Sequence, residues 1–422
     1  MKVLLLTVGT RGDAQPFVAL AQTLKGNGHD VQLGIPSAHS HLAITYGIPH
    51  TPIYDPTQEV LAAPSVRSAI TNDKHSIQYF MRSIPRYQRR IAQLLDDTVA
   101  LARASYDILV YHPLIPGNQI AEWLNVPSVP VAFQPFLAPT SKFPNPLFPL
   151  RVPHRFYWHT YLYSRLIIRL HQGSTSRWRR QELGLPKRRR QGDILRQPDG
   201  RRPSLIQAFS PIILPDQTHF PKWVHTTGFW LLSENSGWTP PKQLSEFISQ
   251  GSPPVYIGFG SMTGLNSDPQ TTSRIVTQAA RNARVRAVIS AGDADVGIKE
   301  IDRDVLTIGQ VPHSWIFPRV SAIVHHGGSG TTGAALAAGR PQVICPYAMD
   351  QPFFAQRMHQ LGTASAPIPQ RRLTAASLAE AIHQAAFSTT MAAQARKLGD
   401  QMRSEEALSA AVNVLQSACE RA

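Results

Sequence analysis

Residues 321–357 read SAIVHHGGSGTTGAALAAGRPQVICPYAMDQPFFAQR, and this stretch decides the fold of the second half of the chain. A short apolar run ends at His325 and His326, the turn GGSG follows at 327–330, and an alanine-rich segment then has helical character up to Gly339. QVICP, at 342–346, is a second short apolar run. Strand, glycine turn, helix and strand in this order are typical of a parallel α/β unit.

The glycine turn predicts a phosphate site. A glycine turn that enters a helix presents free backbone N–H groups and a partial positive charge. Thr331 is expected to cap the helix or to add a hydroxyl to the phosphate, and His326 to hydrogen-bond the β-phosphate and carry charge as the leaving group departs. The alternative is a glycine-rich turn beside a packed histidine, because short motifs match often by chance.

Apolar runs alternate with helical patterns along the rest of the chain. In the second half we predict strands in 253–261, 285–292 and 304–312; in the first half, in 3–8, 29–36, 107–113 and 126–133. This alternation predicts two Rossmann-like α/β domains facing each other across a cleft, with ligands at the carboxyl ends of the strands.

The predicted domain boundaries follow from a change of pattern. Four prolines and isolated aromatic residues make 212–243 a linker. The first domain is then 1–211, the second 244–404, and 405–422 is a carboxyl-terminal helix.

Composition narrows the protein class. With 422 residues and 42% hydrophobic content, the chain is expected to be globular. Only Cys345 and Cys419 occur, which excludes a disulfide framework or a cysteine-based metal site. We recognise no signal peptide and no apolar run near the 20 residues of a membrane span, so a reducing, cytoplasmic setting is expected.

Much of the net charge of +15 lies in one segment. Residues 151–202 contain fourteen lysines and arginines against three acids, a net charge of +11. Together with Trp158 and Tyr157, Tyr161 and Tyr163, this charge predicts peripheral contact with an anionic membrane. A solvated face is the alternative, and a nucleic-acid-binding protein is the alternative function, although no nucleic-acid-binding motif is present.

Several motifs occur in a fixed order over most of the chain. They are GTRGDAQPFVAL (9–20), PFLAPTSKFPNPL (135–147), VYIGFGSM (255–262), GQVPHSWIFP (309–318), HHGGSGTT (325–332) and DQPFFAQR (350–357). This set resembles the glycosyltransferase-B superfamily, close to sterol glucosyltransferases and antibiotic-tailoring glycosyltransferases. The resemblance implies an inverting hexosyl transfer, from UDP-glucose or a similar donor to a hydroxyl of a hydrophobic acceptor, with no metal or other cofactor.

The resemblance also implies donor contacts in the second domain. Ser261 would contact a phosphate, and Gln310 and Val311 would meet the base through their backbone. The residues implied at the diphosphate are His326, Gly328, Gly330 and Thr331. Asp350 and Gln351 would bind the sugar hydroxyls; a cap on the following helix is a compatible alternative.

On the acceptor side, Asp13 follows the first predicted strand and matches the catalytic acid–base position of the resembling families. Gly12 and His112 are expected to contact the acceptor. The alternatives are a helix cap for Asp13, with Pro16 in the first turn, and a structural role for His112.

Two other functions fit less well. A dinucleotide-dependent oxidoreductase would need GxGxxG where GTRGDA stands, and an acidic residue after the second strand, where VQLGIPS has none. Asp293–Asp295 and Asp302–Asp304 form two DxD strings, to which we assign no metal because short acidic strings arise by chance.

Overall fold

The structure is a computed structural model that describes residues 1–66, 75–172, 175–233, 237–260, 269–291 and 299–421. The chain forms two compact units. The first contains most of residues 1–232 and the segment from Glu406 onward, and the second contains most of residues 233–405.

The first unit is built on a seven-stranded sheet in which every strand pairs in parallel with its neighbour. Its strands are β1 (Lys2–Leu6), β2 (Asp30–Pro36), β3 (His50–Ile53), β4 (Ile108–Tyr111), β5 (Ser128–Ala132), β6 (Leu205–Gln207) and β7 (Val224–Thr226). Their order across the sheet is β3-β2-β1-β4-β5-β6-β7. The inner strands β1, β4 and β5 are apolar apart from Lys2 and Ser128 at their first positions, as expected for parallel strands covered on both faces.

Helices connect and cover these strands. They are α1 (Arg11–Gly26), α2 (Ser40–Thr45), α3 (Thr57–Ala62), α4 (His75–Ala102), α5 (Gly117–Leu124), α6 (Tyr157–Gln172), α7 (Ser176–Gln181) and α15 (Ala407–Glu420). Phe17 on α1 packs edge-to-face on Phe133 and Trp230, with ring centroids 5.9 and 6.4 Å away. Val412 and Leu415 of α15 are buried in the same core, so this helix completes the first unit.

The second unit has a six-stranded sheet of order β10-β11-β9-β8-β12-β13. Its strands are β8 (Val255–Ile257), β9 (Ala287–Ser290), β10 (Lys299–Asp302), β11 (Val305–Ile308), β12 (Ala322–His325) and β13 (Gln342–Ile344). Only the pairing of the edge strand β10 with β11 is antiparallel.

Helices of the second unit follow the same alternation. They are α8 (Lys242–Ser249), α9 (Pro269–Ala283), α10 (His313–Ile316), α11 (Ser329–Ala337), α12 (Gln351–Gln360), α13 (Ala375–Phe387) and α14 (Thr389–Arg403). The predicted α/β class with two Rossmann-like domains is confirmed. No helix among the described residues is long and apolar enough to span a bilayer.

The predicted linker differs from the structure in its first part. Residues 212–232 belong to the first unit, where β7 extends the sheet beside β6 and Trp230 is buried. The strand was missed because it has only three residues, Val224–Thr226, within a proline-rich context. The edge strands β3 and β10 were missed for similar reasons: β3 is short and contains Pro52, and β10 is polar.

The basic segment contains a buried ion pair. Arg179 on α7 is fully buried; its Nη1 and Nη2 donate to the two carboxylate oxygens of Glu122 at 3.0 and 2.5 Å. Its Nε donates to the Pro186 carbonyl at 2.8 Å, and Arg188 Nη2 lies 3.0 Å from Glu122 Oε2. Part of the positive charge therefore fixes residues 176–191 onto α5 instead of facing solvent.

Arg179→Ala should lower the free energy of unfolding by about 3 kcal/mol, because it leaves a largely buried carboxylate without its main partner. Chemical denaturation measures the loss. Arg180→Ala removes a neighbouring exposed charge and should change stability by less than about 0.5 kcal/mol. An equal effect of the two substitutions would show that the ion pair does not hold the segment.

Candidate active site

The first cluster of functional side chains lies at the carboxyl ends of β1 and β4. From β1 the chain proceeds to β2 and β3 on one side, whereas β4 lies on the other side, so the strand order reverses between β1 and β4. Such a reversal leaves an open crevice at the strand ends, which is where α/β sheets bind ligands. Asp13 follows β1 and His112 follows β4, so the fold brings these two predicted residues together.

Asp13 has two roles that use different oxygens. It occupies the third position of α1, where Oδ2 accepts hydrogen bonds from the backbone N–H of Thr10 at 2.8 Å and from its hydroxyl at 3.0 Å. The second oxygen, Oδ1, lies 3.7 Å from His112 Nε2, longer than a hydrogen bond. Burial raises the pKa of Asp13, against the opposing effect of the Thr10 hydrogen bonds. A raised pKa makes the carboxylate a stronger base.

His112 is held as a neutral ring. Its Nδ1 accepts the backbone N–H of Leu114 at 3.3 Å, which leaves the proton on Nε2, the nitrogen that faces Asp13. Burial lowers the pKa of His112 to about 4, although the negative charge of Asp55 acts in the opposite direction. The ring also stacks on Phe133, with centroids 6.4 Å apart.

Asp55 is a residue that the sequence analysis missed. It follows β3, and its Oδ2 accepts the backbone N–H of Gly9 at 2.6 Å while Oδ1 accepts the hydroxyl and N–H of Thr57 at 2.7 and 3.0 Å. It therefore fixes the turn that carries Asp13. Gly9 has φ +112°, and a Cβ there would lie 2.3 Å from Asp13 Oδ2. Gly12 lies in the first turn of α1, beside Thr10.

The second cluster lies at the carboxyl ends of β8 and β12. Here too the strand order reverses, because β9 and β11 lie on one side of β8 and β12 on the other. The turn after β12 places Gly327 at φ +91°, and Gly328 caps α11. The predicted cap at Thr331 is wrong: α11 begins at Ser329 with no side-chain cap, and Thr331 is its third residue. The first N–H groups of α11 are thus not satisfied by a capping side chain, as an anion site requires.

The two histidines of this turn differ in their partners. His325 is fully buried; its Nδ1 accepts the Gly327 N–H at 3.1 Å, and its Nε2 lies 2.9 Å from Gln342 Oε1. It is a structural residue that shapes the turn. His326 instead has a buried Nδ1 with no hydrogen-bond partner, and a Cβ on Gly328 would lie 2.5 Å from its Nε2.

His326 is neutral in the ligand-free protein. Burial, followed by electrostatic repulsion from the imidazoles of His325 and His313, lowers the pKa of His326 to about 3. The ring is therefore neutral in the ligand-free protein and can donate one N–H. The charge that His326 is expected to carry as the leaving group departs concerns the donor complex and stays a prediction.

Asp350 and Gln351 follow β13 at the start of α12. Asp350 is the N-cap residue, but its side chain makes no capping hydrogen bond. Gln351 is buried, and its Oε1 accepts the Tyr347 N–H at 2.8 Å. Between them and β13, Met349 has φ +62°, a strained conformation of the kind that concentrates at functional sites.

Other predicted positions are less informative. Gln310 and Val311 lie just beyond the carboxyl end of β11. Ser261, Asp293 and Asp295 lie outside the described residues. Among the residues that are described, no group of three or more histidine, cysteine or carboxylate side chains is placed to hold a metal ion.

Comparison with known proteins identifies the family. Residues 3–108 match the glycosyltransferase family 28 N-terminal domain, and residues 276–416 match the erythromycin biosynthesis protein CIII-like C-terminal domain. The glycosyltransferase of kitacinnamycin superposes with a TM-score of 0.70 at 18% identity over 99% of both chains. Glycosyltransferase VinC, solved with dTDP, superposes with a TM-score of 0.69 at 20% identity over the full length of both chains. The chain belongs to the glycosyltransferase-B superfamily.

Curated relatives of this glycosyltransferase-B chain are longer proteins. The sterol 3-beta-glucosyltransferase of Emericella nidulans is 31% identical over 98% of the chain, and that of Komagataella phaffii is 32% identical over 98%. The chain spans only 30% and 34% of their lengths, respectively.

The buried histidines predict acid sensitivity. Burial lowers the pKa of His325 to about 4, below the ordinary value of 6.5. The unfolded chain therefore binds more protons between these values, and the stabilising effect of a neutral His325, complete above pH 6.5, is lost as the pH falls toward 4. Denaturant unfolding of the parent should show a lower free energy of unfolding at pH 4.5 than at pH 7, with a share on the order of 3 kcal/mol from this residue.

His325→Asn provides the comparison. It should be less stable than the parent at pH 7, but it should lose less stability between pH 7 and 4.5. The same pH-dependent loss in both proteins would contradict the assignment.

Proposed function

We propose that this chain is an inverting hexosyltransferase that needs no metal or other cofactor. It would move glucose from UDP-glucose, or a hexose from a related nucleotide sugar, to a hydroxyl of a hydrophobic acceptor such as a sterol, triterpenoid or polyketide. The observation that carries the proposal is the buried, unpartnered Nδ1 of His326 beside α11, a helix with no side-chain cap, at the point where the strand order reverses. The curated relatives are sterol 3-beta-glucosyltransferases, which supports this class of acceptor.

The second unit would hold the donor. The first backbone N–H groups of α11 would bind the diphosphate, with Gly328 and Gly330 allowing close approach and Thr331 adding a hydroxyl. Neutral His326 would donate one N–H to a phosphate oxygen as negative charge develops on the leaving group. Asp350 and Gln351 would bind sugar hydroxyls. Gln351 would do so through its amide N–H, because its Oε1 already accepts the backbone N–H of Tyr347. These dipoles and N–H groups supply the stabilisation that a metal ion gives in other enzymes.

The first unit would supply the base. Asp13 Oδ1 would accept the proton of the acceptor hydroxyl as oxygen bonds to the anomeric carbon and the bond to the nucleotide diphosphate breaks, so the configuration at that carbon inverts. His112 Nε2–H faces the same oxygen and would hydrogen-bond the acceptor hydroxyl or the carboxylate. An acceptor that resides in a bilayer would also require contact with a membrane surface, for which residues 151–202 carry the charge.

A direct assay tests the reaction class. The protein is incubated with a panel of nucleotide sugars and candidate sterols, triterpenoids and polyketides, and released nucleotide diphosphate is measured. We expect acceptor-dependent release that persists after dialysis against EDTA. Abolition by EDTA with rescue by Mn²⁺ would overturn metal independence, and release without any dependence on acceptor would overturn the transferase assignment.

Asp13→Asn should lower turnover by about 10² to 10⁴, the usual range for losing a general base, while UDP affinity should hardly change. The amide still accepts hydrogen bonds from Thr10, so the turn should remain folded; a thermal melt checks this. Unchanged turnover in a folded variant would rule out Asp13 as the base.

His326→Ala should weaken UDP binding, because the alanine variant cannot donate to the diphosphate. Titration calorimetry with UDP measures the change. Asp350→Ala is the matched control: it should retain UDP affinity but bind UDP-glucose less tightly, since only the intact donor carries the hydroxyls. Parent-like UDP affinity in His326→Ala would remove this residue from the site.

A further inference from the structure

One face of α6 is apolar and exposed. Trp158, Leu162, Leu166 and Leu170 follow each other at intervals of four, so they form a continuous stripe along this helix. Their exposed fractions are 50%, 52%, 52% and 39%, and Phe156 and Leu150, just before the helix, are exposed too. These six are most of the nine large exposed hydrophobic residues in the described part of the chain. A soluble protein rarely leaves such a contiguous patch without a partner.

The stripe is distinct from the core-facing side of the same helix. Tyr161, Ile167 and Ile168 are buried, and Tyr161 directs its hydroxyl to the Phe143 carbonyl at 3.4 Å. Tyr163 packs on Phe148 with ring centroids 5.6 Å apart. The expectation that Tyr161 meets a membrane is therefore wrong, and the leucines, which the sequence analysis did not select, form the exposed face.

Arginines border the stripe. Arg165 and Arg169 lie three residues after Leu162 and Leu166, respectively, and Arg169 is exposed. Arg155 lies over the Phe156 ring, 5.0 Å from its centroid. An apolar face bordered by cationic side chains is the pattern of a helix that lies in a membrane interface.

An arginine-lined pocket lies beside the helix. It has a volume of about 310 Å³ and is lined by Arg188, Arg189, Arg190, Arg196, Pro198, Asp199 and Gly200. The segment that leads into it approaches α6 at Arg169, since a Cβ on Gly192 would lie 3.8 Å from Arg169 Cγ. The Nε atoms of Arg165 and Arg188 are buried and have no hydrogen-bond partner. Arg188 pairs with Glu122, so Arg189, Arg190 and Arg196 line the pocket with a single carboxylate, Asp199, and this excess of positive charge favours an anion of phosphate size or larger.

The stripe and the pocket together favour a lipid surface over other occupants. A nucleic acid would use the arginines but would leave the leucines exposed to water. A second copy of this chain would bring two segments of charge +11 against each other. An anionic bilayer matches both parts, with an apolar interior for the stripe and phosphate headgroups for the arginines.

We propose that the exposed face of α6 and the arginine pocket of residues 188–200 form one docking surface for an anionic phospholipid bilayer. The stripe enters the interface, and the pocket binds headgroup phosphates. This surface lies entirely on the first unit, and its binding does not depend on the transfer reaction proposed above.

Vesicle sedimentation without donor or acceptor tests the proposal. We expect the parent to sediment with vesicles of phosphatidylserine and phosphatidylcholine (about 3:7), to be released by 1 M salt and to bind pure phosphatidylcholine poorly. The basic variant, Arg189→Gln with Arg190→Gln and Arg196→Gln, should bind roughly 100-fold more weakly, at about fivefold per charge. Arg188 stays unchanged because it contacts Glu122.

The apolar variant, Leu162→Ser with Leu166→Ser, should also lose binding by at least about tenfold. Matched controls are Ile44→Ser with Phe387→Ser, which removes exposed apolar residues elsewhere, and Arg274→Gln with Arg396→Gln and Lys397→Gln, which removes three exposed charges from the second unit. Both controls should bind vesicles like the parent, and thermal melts should show that all variants are folded.

Three results would overturn the proposal. If the parent is absent from the vesicle pellet, the surface does not dock on lipid. The arginines would be assigned to nucleic acid if the parent binds a 30-base-pair duplex, the basic variant loses that binding, and the apolar variant still binds vesicles like the parent. The stripe would be a subunit interface if the apolar variant binds vesicles like the parent and light scattering shows a dimer for the parent but a monomer for the apolar variant.

Discussion

The geometry of parallel strands determines where chemistry is possible in this protein. Each crossover between parallel strands must pass over one face of the sheet. Where the chain adds strands on one side of a strand and later returns to its other side, the strand order reverses and a crevice stays open at the carboxyl end of that strand. This occurs at β1 in the first sheet and at β8 in the second. Asp13 and His112 meet at the first of these points, and His326 with the amino terminus of α11 stands at the second.

Burial at these points changes what the side chains can do. Histidines that would be half-charged near pH 6.5 in water remain neutral here, because the surroundings stabilise a proton less well than water does. Asp13 shifts in the other direction for the same reason. Burial thus strengthens a carboxylate base and keeps two imidazoles neutral, each with one N–H to donate. The fold produces both effects by excluding water.

The sequence predicts which strands carry the site residues better than it predicts the local hydrogen bonds and helix caps around them. Short apolar runs suffice to place Asp13, His112 and His326 after the correct strands. Asp55 could not be found in this way, since the short strand before it contains Pro52 and lacks the apolar pattern. Thr331 was assigned as a cap because threonine is a common N-cap residue, whereas Gly328 takes that position and α11 starts at Ser329. The leucine stripe of α6 was overlooked because leucine at helical spacing usually indicates a buried face.

The place of α15 in the first unit has a consequence for the order of events during synthesis. Residues from Glu406 onward leave the ribosome after the whole of the second unit, yet Val412 and Leu415 fill the core against α1. The first unit therefore starts to be translated before the second unit but is completed after it. Until α15 is made, the apolar side of α1 that packs against this helix stays exposed. A nascent chain stalled before residue 406 would expose that surface to chaperones and proteases while its second unit already had all of its residues.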